Sequence, residues 1–260
     1  MIDQDSLKVK AIVTKLVKWL VAVFVSFQFL GIQTLSAQTN EQVWTEYMLN
    51  YPFANSFNLE NAFTYSTLVG TPKWRAYDYS ACLEYSPIQY VDVIVQSVFS
   101  YTNQTESYNT FEIRPILGAR IHFTPNKRVL TRLLLRAEQR NFKNLETDEW
   151  TKEIRPRIRA EAIIPMNKKS YYENKLWYGI TDVEWLFKTD IEERFANRFR
   201  YRVGVGYRFN YTLRAEFIYM LQLSRNQIGD DVETTDNIFR FRLKQYLRKS
   251  KPVKADGTGN

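Results

Sequence analysis

Few residues in this chain could do acid–base, nucleophilic or metal chemistry, and they are scattered. His122 is the only histidine and Cys82 the only cysteine among 260 residues. In a membrane-embedded hydrolase such a histidine would serve a serine as base. His122 alternates with Arg120 on a polar face, however, so a hydrogen-bonded structural histidine is the expected role. Cys82 shares a polar face with Asp78 and Glu84, and no base near it in sequence would hold a thiolate. One His, one Cys and dispersed carboxylates give no metal-ligand spacing. The acid clusters DIEE (Asp190–Glu193) and GDDVE (Gly229–Glu233) have the oxygens for Ca²⁺ but read better as solvated loop charge. No phosphate loop, dinucleotide fingerprint or zinc motif appears. The chain is therefore read as a non-enzyme, with no catalytic, metal-binding or cofactor-binding residue and no cofactor.

The chemistry that does stand out is arginine in rows. In RFRYRVGVGYRF, every second residue is Arg198, Arg200, Arg202, Gly204, Gly206 and Arg208. The alternate set, Phe199, Tyr201, Val203, Val205, Tyr207 and Phe209, is wholly apolar with aromatics at both ends. Water does not demand arginine in rows, whereas a lumen accepts them and lipid rewards the unbroken apolar face. Further cations in this pattern are Arg114, Arg120, Arg132, Arg136, Arg155, Arg157, Arg159, Arg214, Arg240 and Arg242; carboxylates in reach are Glu112, Glu138, Glu153, Glu161 and Glu216. Such rows either line an anion path or form a ladder of ion pairs. Opposite charges facing across strands support one another, and Arg suits partly buried pairing better than Lys. The ladder is the favoured reading. Arg outnumbers acid on these faces, which keeps the pore reading open. Gly204 and Gly206 are expected to relieve crowding where Arg side chains meet.

The elements that must position these residues are strands. From about Trp44 to Leu247 the dominant period is two. FEIRPILGARIHF sets Phe111, Ile113, Leu117, Ala119, Ile121 and Phe123 against Glu112, Arg114, Gly118, Arg120 and His122. YDYSACLEY, VDVIVQSVFSY, EWTKEIRPRIRAEAII, LRAEFIYMLQL and NIFRFRLKQYL alternate likewise. Strict alternation in this many segments argues strands with two contrasting faces. They are long, roughly 10–15 residues, against about five or six for an ordinary strand. VGTPK, SPIQ, TPNK and NY mark turns; longer polar connections lie near 102–109, 143–149, 188–195 and 225–236. Ten strands fit from Ser56 to Leu247. Trp44–Tyr51 would be an eleventh, which an even-stranded bacterial barrel with both termini on one side does not admit. Either that segment does not span or a twelfth strand exists. LWYGITDVEWLF (Leu176–Phe187) changes face near Asp182 and is the expected place for a bulge or miscount.

Bulk properties agree. A mean hydropathy of -0.40 excludes a helical bundle, whose spans each need about 20 apolar residues. It does not exclude a barrel, half of whose strand residues face inward. One apolar run, WLVAVFVSFQFLGI (Trp19–Ile32), follows four Lys and precedes TLSAQ, the order of a secretory signal peptide. Cleavage is expected after Ala37, despite a large Leu35 at the −3 position. A single-pass anchor is the rival, but the run is short for it. No Cys follows to carry a lipid. Cleavage removes four Lys and two Asp from 36 cations and 28 carboxylates, leaving +6; export makes nucleic acid an improbable partner. The expected organisation is a leader at 1–37, an N-terminal segment at 38–55, a barrel at 56–247 and a disordered basic tail at 248–260.

EIRP at Glu112–Pro115, of the form ExRP, LRAEQRNF at Leu135–Phe142, RPRIRAE at Arg155–Glu161 and NRFRYRVGVGYRFNYTLRAEFIYMLQ at Asn197–Gln222 resemble the family known as domain of unknown function 2490. WTEYMLNYPFANSFNLE, from Trp44, is also similar. The resemblance covers nearly all of the chain after the leader and rests on diffuse strand patterns. It implies an exported β-barrel of Bacteroidota-type bacteria in the outer membrane and supplies no catalytic residues. The expected fold is thus all-β: one antiparallel transmembrane β-barrel of about ten strands, alternatively twelve. The expected function is a structural or interaction barrel with a salt-bridged lumen; a small anion-preferring pore and a lipid-modifying enzyme are the alternatives. Expected partners are outer-membrane lipid and, on the way there, periplasmic chaperones and the barrel-assembly machinery. Nothing in the sequence speaks to oligomeric state.

Overall fold

A computed structural model describes residues 40–54, 56–70, 74–105, 108–187, 198–225 and 232–247. The expected leader, the basic tail, the DIEE cluster and most of GDDVE lie outside these residues.

Alternation in sequence becomes alternation in space. Eleven strands form, β1 (Asn40–Phe53), β2 (Phe57–Leu68), β3 (Arg75–Ile88), β4 (Val91–Thr105), β5 (Tyr108–His122), β6 (Leu130–Asn144), β7 (Trp150–Pro165), β8 (Leu176–Leu186), β9 (Arg198–Arg208), β10 (Leu213–Arg225) and β11 (Val232–Tyr246). They close into a barrel in sequence order, each antiparallel to the next, with β1 returning to β11. Among the described residues there is no helix. The hydrophobic run of each strand sets its register, because a slip of one residue would turn every side chain to the other face. Aromatic pairs directly opposite each other reinforce it: Phe63 with Tyr79 (ring centroids 4.9 Å apart), Trp177 with Tyr207 (4.7 Å) and Phe217 with Phe241 (4.9 Å).

The strand count corrects the expectation of ten or twelve. The N-terminal segment is a full strand of the wall, so the barrel begins at Asn40 and not near Ser56. The odd count is possible because the seam is parallel: β1 pairs with β11 from Asn40↔Asp236 to Asn50↔Tyr246. The chain therefore enters the barrel at one end and leaves at the other. The parity objection assumed an all-antiparallel wall.

The expected face change in β8 is also corrected. Leu176, Tyr178, Ile180, Asp182, Glu184 and Leu186 all point inward, in unbroken alternation. Their mixed chemistry, apolar at one end and acidic at the other, imitates a change of face. The register irregularities fall elsewhere, between Tyr85 and Ile88, Asn103 and Thr105, and Gln222 and Leu223.

The glycines of β9 serve a different neighbour from the one expected. A Cβ at Gly206 would fall on the Tyr178 ring, 2.5 Å from Cε2, and one at Gly204 would lie 2.6 Å from the Phe217 carbonyl oxygen. They make room for an aromatic ring and a close strand approach, not for converging guanidinium groups.

Candidate functional site

Among the described residues, charged side chains converge in the lumen, and strand order sorts them. Among the described residues the inward faces of β1 to β4 carry no Lys or Arg. They present Glu46, Glu60, Asp78, Glu84 and Asp92 among Ser, Thr, Asn and Gln. The arginines enter from β5 onward. One wall is thus acidic and hydroxylic, the other cationic.

The most buried contacts lie on the cationic wall. Glu138 and Glu184 are both fully buried, at 0% exposure. Glu138 accepts from Arg155 (Nη2, 2.8 Å) and Arg157 (Nη1, 2.6 Å), with Arg136 at 3.8 Å. Glu184 faces Arg157 (2.7 Å), Arg136 (3.4 Å) and Arg200 (3.7 Å). Two carboxylates therefore hold four guanidinium groups from three strands. Around them Arg202 donates to Asp182 (2.6 Å), Arg200 to Gln222 (2.7 Å), and Arg114 and Arg140 each fork onto Glu112. Charged forks of this kind are the stronger class of hydrogen bond. Leaving any of these buried charges alone would be expensive, which explains why the side chains bridge strands rather than point along the axis.

A second knot ties the seam. Glu46 of β1 pairs with Arg242 of β11, and Arg240 lies 3.6 Å away with its guanidinium over the Trp44 ring. Arg242 reaches on to Glu216 (3.1 Å), which also takes Lys244 (3.2 Å) and the Tyr178 hydroxyl (2.8 Å).

The remaining expected residues divide. Arg120 pairs with Glu84 (2.7 Å) and Asp92 (3.0 Å), and Arg132 with Glu161. Arg159 and Glu153 face inward but have no ion pair among the described residues. Arg198 is exposed at the rim. Arg208 and Arg214 use aromatic rings. Tyr171, from the connection between β7 and β8, folds into the barrel mouth between them, its centroid 4.8 Å from Arg208 and 5.1 Å from Arg214. Arg214 also donates to the Tyr171 hydroxyl at 2.6 Å. Tyr171 packs with Ile163, Leu176, Tyr178, Ile180 and Ile218, so this part of the lumen has an apolar core.

His122 lies on the lumen face, as expected. Its Nε2 is 2.7 Å from Asp92 Oδ2, while Ser86 donates to Oδ1 at 2.7 Å. Asp92 stands between serine and histidine, so the histidine is not placed on the serine oxygen as a base would be. Cys82 is buried against Ile94 and Leu134, the inert packing role expected of it.

Several participants were not anticipated: Glu46, Glu84, Asp92, Arg140, Tyr171, Asp182, Glu184 and Lys244. Period-two alternation was the signal that could have found most of them. It extends through β1 to β4 and β8, where short polar side chains dilute the pattern.

Empty space in the lumen is divided. A cavity of about 580 Å³ lies toward the end where β11 finishes, and one of about 430 Å³ occupies the middle of the barrel. Both are lined by Glu60, Glu84, Arg120, Arg132 and Lys244. These five charged side chains lie where the two chambers meet.

The family described as Protein of unknown function (DUF2490) has a model that matches residues 41–233. The chain belongs to this family. The DUF2490 match begins within β1 and ends at the start of β11, so it takes in β2 to β10 and the Glu138–Glu184 knot, while Arg240, Arg242 and Lys244 of the seam lie beyond it. The comparison of this DUF2490 chain with curated proteins found no match.

Proposed function

We propose that this protein is an exported outer-membrane β-barrel, a structural or interaction barrel whose lumen is closed to bulk flow by its own ion pairs. The observation that carries the reading is the contrast between the two faces of one closed wall. Outward, Phe63, Tyr79, Val95, Leu117, Val203, Phe217 and Phe241 are exposed large apolar residues from successive parts of the wall. A monomer in water does not keep so wide an apolar surface uncovered. On β9 the aromatics Phe199 and Phe209 bracket it. Ten residues at about 3.4 Å each and a tilt of about 40° give roughly 26 Å of height, close to the apolar band of about 25 Å in outer-membrane barrels. Inward, fully buried carboxylates clamp arginines across strands, which supports a closed lumen.

A small pore is the second reading, supported by the two chambers and the charged side chains where they meet. Fractionation of exporting cells and planar-bilayer recordings of the purified barrel separate the readings. The expected result is co-purification with outer membrane and little or no steady current. A large, steady, anion-selective current would replace the closed barrel by the pore. Accumulation in a soluble fraction would end both.

A further inference from the structure

We propose that the larger chamber, at the end of the barrel where β11 finishes, is a binding site for a short peptide with free ends, its ammonium group on Glu60 and its carboxylate on Arg214.

The argument starts from which charges in the chamber are already neutralised. Its lining includes Glu60, Glu84, Arg120, Arg132, Arg214 and Lys244. Arg120 is closed by Glu84 and Asp92, Arg132 by Glu161, and Lys244 by Glu216. Among the described residues two are left without a carboxylate or cation at ion-pair distance: Glu60 on β2 and Arg214 on β10. Glu60 stands beside a second carboxylate, Glu84, which worsens its position. Arg214 has only the Tyr171 hydroxyl and the faces of Tyr171 and Tyr246. A charge in a confined lumen has to be paired or solvated, and a ligand is one way to pair it.

The two leftover charges have opposite sign and lie on different parts of the wall. β2 and β10 are separated by β1 and β11. Three strand spacings make about 14 Å along the wall, and each side chain reaches inward from there. An anion alone would answer Arg214 and leave Glu60 facing Glu84. A cation alone would do the reverse. A zwitterion answers both, and a three-residue peptide spans about 10 Å end to end. A volume of about 580 Å³ lies within the range of ordinary ligand sites, about 300–1,000 Å³. The apolar lining from Phe53, Phe57 and Tyr172 suits the side chains between the two ends. The proposal depends on the lumen and not on membrane placement, so it is tested in detergent and stands or falls apart from the reading above.

The test is isothermal titration calorimetry of the folded full chain in detergent micelles with tri-alanine, its N-acetylated form and its C-terminal amide. Tri-alanine is expected to bind saturably, and each blocked form at least about tenfold more weakly. Glu60→Gln, nearly isosteric, is expected to bind tri-alanine and the acetylated form alike while still discriminating against the amide. Arg214→Gln would release Tyr171 and disturb the fold, so the amide reports on Arg214 without a variant. No saturable heat with tri-alanine, equal binding of all three peptides, or unchanged discrimination in Glu60→Gln would each overturn the proposal.

Discussion

At the scale of single residues, Glu138 shows how the lumen is held. Arg155 and Arg157 both donate to it, and water does not reach it. Glu138→Ala would strand the Arg155 guanidinium in a buried site and leave Arg157 with Glu184 alone, a loss on the order of 3–5 kcal/mol. Glu161→Ala removes the partner of Arg132, whose side chain is 26% exposed, so a much smaller loss is expected, about 0–1 kcal/mol if water replaces the partner. Urea unfolding of both variants in bilayers checks this, and equal losses would contradict it. Gly206→Val tests close packing in the same way. The new side chain would collide with the Tyr178 ring and break its hydrogen bond to Glu216, with an expected cost of about 1–3 kcal/mol. The inward direction of the arginine rows was legible, since alternation with Phe and Tyr allows no other arrangement. Their partners were legible in part: Glu112, Glu138, Glu161 and Glu216 do take arginines. Glu153 was expected to pair and has no ion pair among the described residues, while Glu184 and Asp182 were obscured by the mixed inward face of β8. Period two tells which side a residue faces; the partner depends on register, which no single strand contains.

At the scale of elements, β9 is the clearest case of a strand read correctly from its sequence, and β8 of one misread. In β9 the two faces differ in every residue. In β8 the inward face begins with Leu176, Tyr178 and Ile180 because a connection folds over that end and brings Tyr171 against it. A local apolar core inside the lumen is a tertiary event, and the sequence of β8 alone gives no warning of it. The outward face of β9 supplies the element-level prediction. Val205 points outward between Gly179 and Phe217. Val205→Arg is expected to cost about 2–4 kcal/mol in bilayers if Val205 lies at the midplane, falling toward 0–1 kcal/mol near an interface. Comparison of folding yield in vesicles and in detergent separates a lipid-facing position from a packing defect. A variant that folds in vesicles as well as the wild type would overturn the face assignment.

At the scale of the whole molecule, charge is segregated around the wall. Cations are missing from the inward faces of β1 to β4 among the described residues, while β7 and β9 present arginine after arginine. The seam joins these two sectors: Glu46 of the acidic side meets Arg240 and Arg242 of the basic side. The closing contact of the ring is thereby an attraction between opposite charges, as well as a ladder of backbone hydrogen bonds. That seam has a further consequence. Its strands are parallel, so the wall behaves like a belt with an odd number of folds, and its two free ends emerge from opposite rims. A barrel with an even fold count can have its ends spliced by a short linker and be cut open elsewhere. Here a splice would have to climb the full height of the wall. The same geometry gives the molecule a polarity that any layer around it would inherit. Reporter epitopes placed before Asn40 and after Leu247 should be accessible from opposite sides of that layer. Antibody labelling of intact and permeabilised vesicles would detect this, and both epitopes on one side would mean the first strand does not complete the wall.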